Sequence, residues 1–306
     1  MATMQNIQPR RRSPVRRWYQ HLWREWTKES YRPILPAFAR PEPSTWSNTA
    51  LTAAWLGHST VLINFFGWKI ITDPVLFPRC GIRLPGMTVG PKRLTQAALR
   101  VHELPAIDLV LLSHAHFDHF DMRTLHRIPG KPLAITAPST RDLLRWTRLR
   151  NATELRWGET TELRGEPGAL RVRAFPVRHW GARLRRDHHR GYNGYVLERN
   201  GHRVIFSGDT AMTDSFAALR ERRPADLAIM SIGAYDPWIH SHATPEQAVA
   251  MANAAGADHI LPVHHQTFRL SAEPFREPIE RFEAALQLDP ERIALREIGE
   301  TFALEP

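Results

Sequence analysis

The stretch Asp108-Leu109-Val110-Leu111-Leu112-Ser113-His114-Ala115-His116-Phe117-Asp118-His119-Phe120-Asp121 decides how the rest of the chain is read. Asp108–Leu112 is a short apolar run of the kind that fills a strand buried on both faces. His114, His116, Asp118 and His119 follow at once, and Asp121 opens an expected helix, Asp121–Ile128. Imidazole and carboxylate groups at a strand-to-helix turn are metal donors. The mixture suits Zn, Fe, Mn or Ni better than Ca or Mg. A turn splays successive side chains, so one segment can serve two ions. An exposed polar loop would account for a single histidine, but not for H-x-H-x-D-H placed directly behind an apolar strand.

Three further segments repeat that design, an apolar strand ending in a donor. Ala174-Phe175-Pro176-Val177-Arg178-His179-Trp180 delivers His179. Val204-Ile205-Phe206-Ser207-Gly208-Asp209-Thr210 delivers Asp209, and Ile260-Leu261-Pro262-Val263-His264-His265 delivers His264. Donors at strand ends are held by rigid elements. Around them the body alternates strands and helices. Strands are expected at Leu51–Leu56, Val61–Phe66, Lys69–Thr72, Leu133–Ala137, Leu170–Val177, Tyr192–Glu198, Arg203–Ser207, Leu227–Ser231, Ile260–Val263 and Ile293–Ile298. Helices are expected at Thr140–Arg148, Ser215–Arg222, Pro245–Ala255 and Pro278–Leu288, and residues 78–92 read as an irregular loop. This order indicates an α/β domain with helix-covered sheets, and it permits a two-sheet sandwich.

With 42% apolar and 24% charged residues among 306, the composition is that of a globular protein with a sizeable core. The lone Cys80 excludes an internal disulfide and reads as a small buried hydrophobe. No run approaches the ~20 apolar residues that cross a bilayer. The arginines near the start lack a following apolar stretch, so they do not read as a secretory signal, and a cytoplasmic location is expected. The net charge of +10 is uneven: residues 1–32 hold eight Arg or Lys against Glu25 and Glu29, a surplus of six that leaves the body only +4. That distribution makes a nucleic-acid partner a poor reading. Residues 1–49 are expected to be a basic, Trp-rich leader helix with a Pro-rich linker, and residues 50–306 the α/β domain. From Pro14 the leader places Val15, Trp18, Tyr19, Leu22, Trp23 and Trp26 on one helical face. That stripe either packs on the body or lays tryptophans into a lipid headgroup region, which would make residues 14–30 a peripheral membrane contact. Four prolines make residues 33–49 a surface linker.

Taken together with Trp55-Leu56-Gly57-His58-Ser59-Thr60, Ile232-Gly233-Ala234-Tyr235-Asp236-Pro237, His242–Ala248 and His264–Phe268, the four segments resemble the metallo-β-lactamase superfamily. Within it the similarity is to the branch of N-acyl-phosphatidylethanolamine phospholipase D and the ascorbate-6-phosphate lactonases, over roughly residues 51–300. The resemblance implies a four-layered αβ/βα sandwich with two divalent transition metal ions, Zn2+ first and Mn2+ or Fe as alternatives. It implies His114, His116 and His179 on one ion, Asp118, His119 and His264 on the other, and Asp209 between them. A hydroxide bridging the pair would be the nucleophile, since water on Zn has its pKa lowered from 15.7 to roughly 7. Asp118 and His242 are the implied catalytic groups, His242 either holding charge on a substrate oxygen or serving the entry to the helix that starts at Pro245.

The implied activity is a phosphodiesterase acting on a small or lipid-like ester. The alternatives are a lactonase and, further off, a nuclease or a non-catalytic metal-binding protein. His58 reads as a supporting group behind the donors, ahead of a ligand, and Asp73 as either the carboxylate that orients one of them or a turn cap at Asp73-Pro74. His265, next to His264, should point away from the site. His188 and His189 lie in an arginine-rich loop (Arg183, Arg185, Arg186, Arg190) that is either a solvated face or a rim for anionic substrate.

Overall fold

The computed structural model describes residues 31–184 and 186–304. The expected leader helix and Arg185 lie outside these residues. The strands run in chain order as β1 (Leu51–Gly57), β2 (Thr60–Phe65), β3 (Trp68–Thr72), β4 (Ile82–Leu84), β5 (Met87–Val89), β6 (Ile107–Leu112), β7 (Gly130–Thr136) and β8 (Thr153–Glu154). They continue as β9 (Thr160–Gly165), β10 (Gly168–Phe175), β11 (Gly194–Arg199), β12 (His202–Phe206), β13 (Ala225–Ser231), β14 (Ala257–Val263) and β15 (Thr301–Leu304). Two mixed sheets result, ordered β15-β1-β2-β3-β6-β7-β8 and β14-β13-β12-β11-β10-β9. Parallel pairing joins β3, β6, β7 and β8 in the first sheet and β12, β13 and β14 in the second.

Alternation along the strands builds the sandwich. Val204, Phe206, Leu227 and Ile229 point into the core shared with the first sheet. Ile205, Ala228 and Met230 point outward beneath α2 (Pro245–Ala255) and α3 (Glu277–Ala285). This is the α/β sandwich expected. Tyr195 ties the sheets together where they meet the site, its hydroxyl donating to the Leu112 carbonyl at 2.9 Å.

The helical cover is lighter than the sequence suggests. Asp121–Ile128 shrinks to one turn, α1 (Met122–Leu125), because Pro129 disfavours helical backbone at Ile128. Thr140–Arg148 and Ser215–Arg222 become 3-10 turns at Arg141–Leu144 and Asp214–Leu219. Ile293–Ile298 is not a strand: Ile293, Leu295 and Ile298 are buried, but the sheet edge is taken by β15. Residues 78–92 carry the ribbon β4–β5 where an irregular loop was expected. Residues 33–49 run mostly near the surface but are laced to the body, Leu35 N donating to Leu94 O at 2.9 Å and Ala39 N to Ile298 O at 3.2 Å. Among the described residues, no helix is long and apolar enough to cross a membrane.

Candidate metal centre

The carboxyl ends of strands from both sheets meet at one edge, and the chemistry-bearing side chains collect there. β6 ends in Ser113 and the turn that follows, closed by amides of His119 and Phe120 donating to the His116 carbonyl. Asp121 does not reach the cluster. Its carboxylate caps α1 by accepting from the amides of Arg123 and Thr124. β10 leads to His179, β12 to Asp209 and β14 to His264, so all the donors expected on four distant segments are brought together. Gly208 lets β12 approach: a Cβ there would lie 2.7 Å from the Ser113 Cβ. His58, Asp73 and His264 hold positive φ (55°, 32° and 66°), a conformation that needs its surroundings to enforce it.

Potential donor atoms of His114, His116 and His179 lie within 4.8 Å of one another, as do those of Asp118, His119, His264 and His58. Asp209 stands between the two groups, its Oδ2 3.1 Å from both His119 Nε2 and His264 Nε2 and 3.9 Å from His179 Nε2. Hydrogen bonds behind the rings fix their tautomers. His119 Nδ1 donates to Asp73 at 2.7 Å, and His179 Nδ1 donates to the Ser241 carbonyl at 2.9 Å. Ser113 Oγ donates to Asp73 and accepts from His114 Nδ1 at 2.8 Å. In each case Nε2 is left as a lone pair facing the centre, the arrangement that metal-ligating histidines adopt.

Of the buried polar atoms without a hydrogen-bond partner among the described residues, five belong to this cluster: His119 Nε2, Asp209 Oδ1, His242 Nδ1 and both ring nitrogens of His264. Orphaned polar atoms in a dry interior are costly unless something satisfies them. Here they belong to rings and carboxylates that converge instead of pairing. A divalent transition metal fits that need, as imidazole and carboxylate are its donors.

The electrostatics agree. Burial alone would raise Asp118 and Asp209, yet His119 and His264 hold both well below the usual carboxylate range. Burial alone would lower His119 and His264, but the same two carboxylates raise both, His264 to about 9. Burial keeps His116 neutral, down to about 3, and His179, down to about 4. The two carboxylates thus concentrate negative charge between these rings, a setting that suits a cation.

His58 does support a donor, its Nε2 lying 2.9 Å from Asp118 Oδ2. It does more than that, since its carbonyl also accepts from the His264 amide at 3.0 Å. Asp73 orients two of the clustered histidines, His119 directly and His114 through Ser113. His242 is buried at the site with Nδ1 3.8 Å from Asp209 Oδ2. His265 turns away and stacks on Trp55, ring centroids 4.4 Å apart. His188 and His189 are exposed.

Arg186 is exposed with these histidines, as a solvated face requires, while two other arginines of the loop serve the body. Arg183 donates to the carbonyls of Ala115 and Phe120, bracing the turn between them, and Arg190 is buried against Asp142 and Asp187. Sequence reading missed the Ser241 carbonyl, which as a backbone atom carries no side-chain signature. It also gave no role to Trp180, whose ring lies 4.7 Å from that of His116.

A two-sheet sandwich with imidazoles and carboxylates gathered on one edge defines a metal-dependent hydrolase of metallo-β-lactamase type, and the comparisons agree. The family model described as "Beta-lactamase superfamily domain" matches residues 69–265, so the chain belongs to that superfamily. The chain is 32% identical over 274 residues to an uncharacterized protein of Mycobacterium tuberculosis, covering 86% of this chain and 71% of that one. It is 32% identical over 247 residues to the N-acyl-phosphatidylethanolamine-hydrolyzing phospholipase D 1 of Caenorhabditis elegans, covering 76% and 68% of the two chains. A metallo hydrolase structure from Ignicoccus hospitalis shares the fold, with a TM-score of 0.59, 22% identity, and coverage of 84% of this chain and 100% of that one.

Proposed function

We propose that this metal-dependent hydrolase is a phosphodiesterase with two divalent transition metal ions, Zn2+ first among them, acting on a lipid-like phosphodiester. The observation that carries the two-cation reading is the pair of donor groups, one of three imidazoles and one built on Asp118, joined by Asp209. The substrate reading is supported by the activity named for the nematode relative.

His114, His116 and His179 would hold one ion, and Asp118, His119 and His264 the other, with Asp209 shared. When bound, such ions supply a nucleophile from water at neutral pH and Lewis acidity toward the scissile oxygen. The protein's own part is orientation. His119 and His264 keep Asp118 ionised and His58 holds it in place, so that this carboxylate accepts a proton of the attacking water. His242, kept neutral by burial, presents an unpartnered Nδ1 beside Asp209 and holds the developing charge on a substrate oxygen. Trp180, Met212, Trp238 and Ile239 are exposed apolar side chains on the segments that carry His179, Asp209 and His242. They offer contact to an acyl chain.

Elemental analysis should give about two transition metals per chain, the count of donor groups. A screen of a bis-aryl phosphate against a lactone panel should show diester hydrolysis. Turnover of lactones alone would remove the phosphodiesterase reading and leave the hydrolase class standing.

A further inference from the structure

Arg183 spends only part of its guanidinium on the body. Nη1 donates to the Ala115 carbonyl at 2.8 Å and to the Phe120 carbonyl at 2.9 Å, which uses both of its hydrogens. The guanidinium carbon sits over the Phe117 ring, 4.0 Å from its centroid. Among the described residues nothing accepts from Nε or Nη2, and neither atom is sealed from solvent. That edge keeps two parallel N–H groups, the fork that matches the oxygens of a phosphate or carboxylate. Arg190, in the same loop, is the contrast: its Nε donates to Asp187 at 3.1 Å, and its Nη1 and Nη2 donate to Asp142 at 2.6 and 3.0 Å.

Phe117 places this group at the mouth of the candidate centre. His116, Phe117 and Asp118 are half-buried, whereas His114, Ala115, His119 and Phe120 on either side of them are buried. Arg183 thus stacks on the middle residue of the accessible part of the turn. Burial lowers its pKa to about 10, so it stays a cation at neutral pH. Asp121 and Asp118 favour its charge from nearby, and neither forms an ion pair with it. The chain alongside adds the same sign, since residues 167–186 contain no Asp or Glu. Arg171 and Arg173 are paired with Glu198 and Glu221. Arg178, next to His179, is exposed and makes no ion pair among the described residues. A neutral ester offers little to such a fork, while a phosphodiester carries a negative charge spread over two oxygens.

We infer that the Nε–Nη2 edge of Arg183 binds the negatively charged phosphoryl group of the substrate, so that this residue selects an anionic ester over a neutral one. The inference deepens the phosphodiesterase reading above and rests on it. One side chain does two jobs: Nη1 holds the turn, and the opposite edge reads the substrate's charge.

The test compares full-length chains saturated with Zn2+ in calorimetric titrations. The probes are diethyl phosphate, an anion, and triethyl phosphate, its neutral counterpart. Arg183→Gln should weaken binding of the anion about 10–100-fold and leave binding of the neutral ester within roughly twofold. Arg183→Lys keeps the charge without the fork, so its affinity for the anion should fall between the two. The lysine variant retains a donor for the turn and carries the same comparison should Arg183→Gln fail to fold. Equal weakening of both probes would make Arg183 a brace alone, and undiminished anion binding would leave its edge merely solvated. Either result overturns the inference. Anion binding that depends on Arg183 in a protein that turns over no diester would instead defeat the phosphodiesterase reading and leave the anion subsite standing.

Discussion

Asp73 touches no substrate, yet its two oxygens take the Ser113 amide, the Ser113 hydroxyl and His119 Nδ1. All three are donors, so the group must be acceptor-only. In Asp73→Asn, the amide nitrogen would face one of them and push His119 or His114 toward the wrong tautomer. Metal affinity should fall about 10–100-fold by chelator competition, with the circular dichroism of the fold retained. Unaltered affinity would show that the tautomers are set elsewhere. The donors themselves were legible in the sequence because their chemistry is written in side-chain type and spacing. What sits behind them was less so. His58 and Asp118 are 60 positions apart, and nothing in either local pattern announces their hydrogen bond.

At the level of elements, α2 follows directly on the segment that carries His242. Thr244 and Gln247 form a reciprocal capping box, Pro245 occupies the first turn, and Gly256 closes the helix in left-handed conformation. Those signals are local, which is why Pro245–Ala255 reads correctly from sequence to the residue. The Ala243 amide also donates to the Thr210 carbonyl, next to Asp209, so the cap anchors a segment shared with the site. Thr244→Ala should cost about 1 kcal/mol in urea unfolding and lower kcat more than it raises KM, through a looser His242. Equal stability would mean the cap is redundant. Elements whose signal is apolar periodicity alone fared worse. Periodicity reports burial and not backbone pairing, so Ile293–Ile298 reads as a strand while the edge position belongs to the weakly patterned β15.

For the molecule as a whole, the first sheet contributes His114, His116, Asp118 and His119, and the second contributes His179, Asp209 and His264. Any ion held here is bound by the folded chain and not by the unfolded one. Chelation should therefore lower Tm by about 5–10 °C, taking occupancy near a hundredfold above Kd, and added Zn2+ should restore it. An indifferent Tm would argue against a centre assembled from both sheets. The same division has a mechanical consequence. The two leaves of the sandwich set the spacing of the donors, and the Tyr195 hydroxyl gauges that spacing at Leu112. A methylene added or removed midway between the leaves, far from any ligand, would thus be felt as detuned chemistry before it is felt as lost stability, with the interior serving as the calliper that keeps the reactive edge in adjustment.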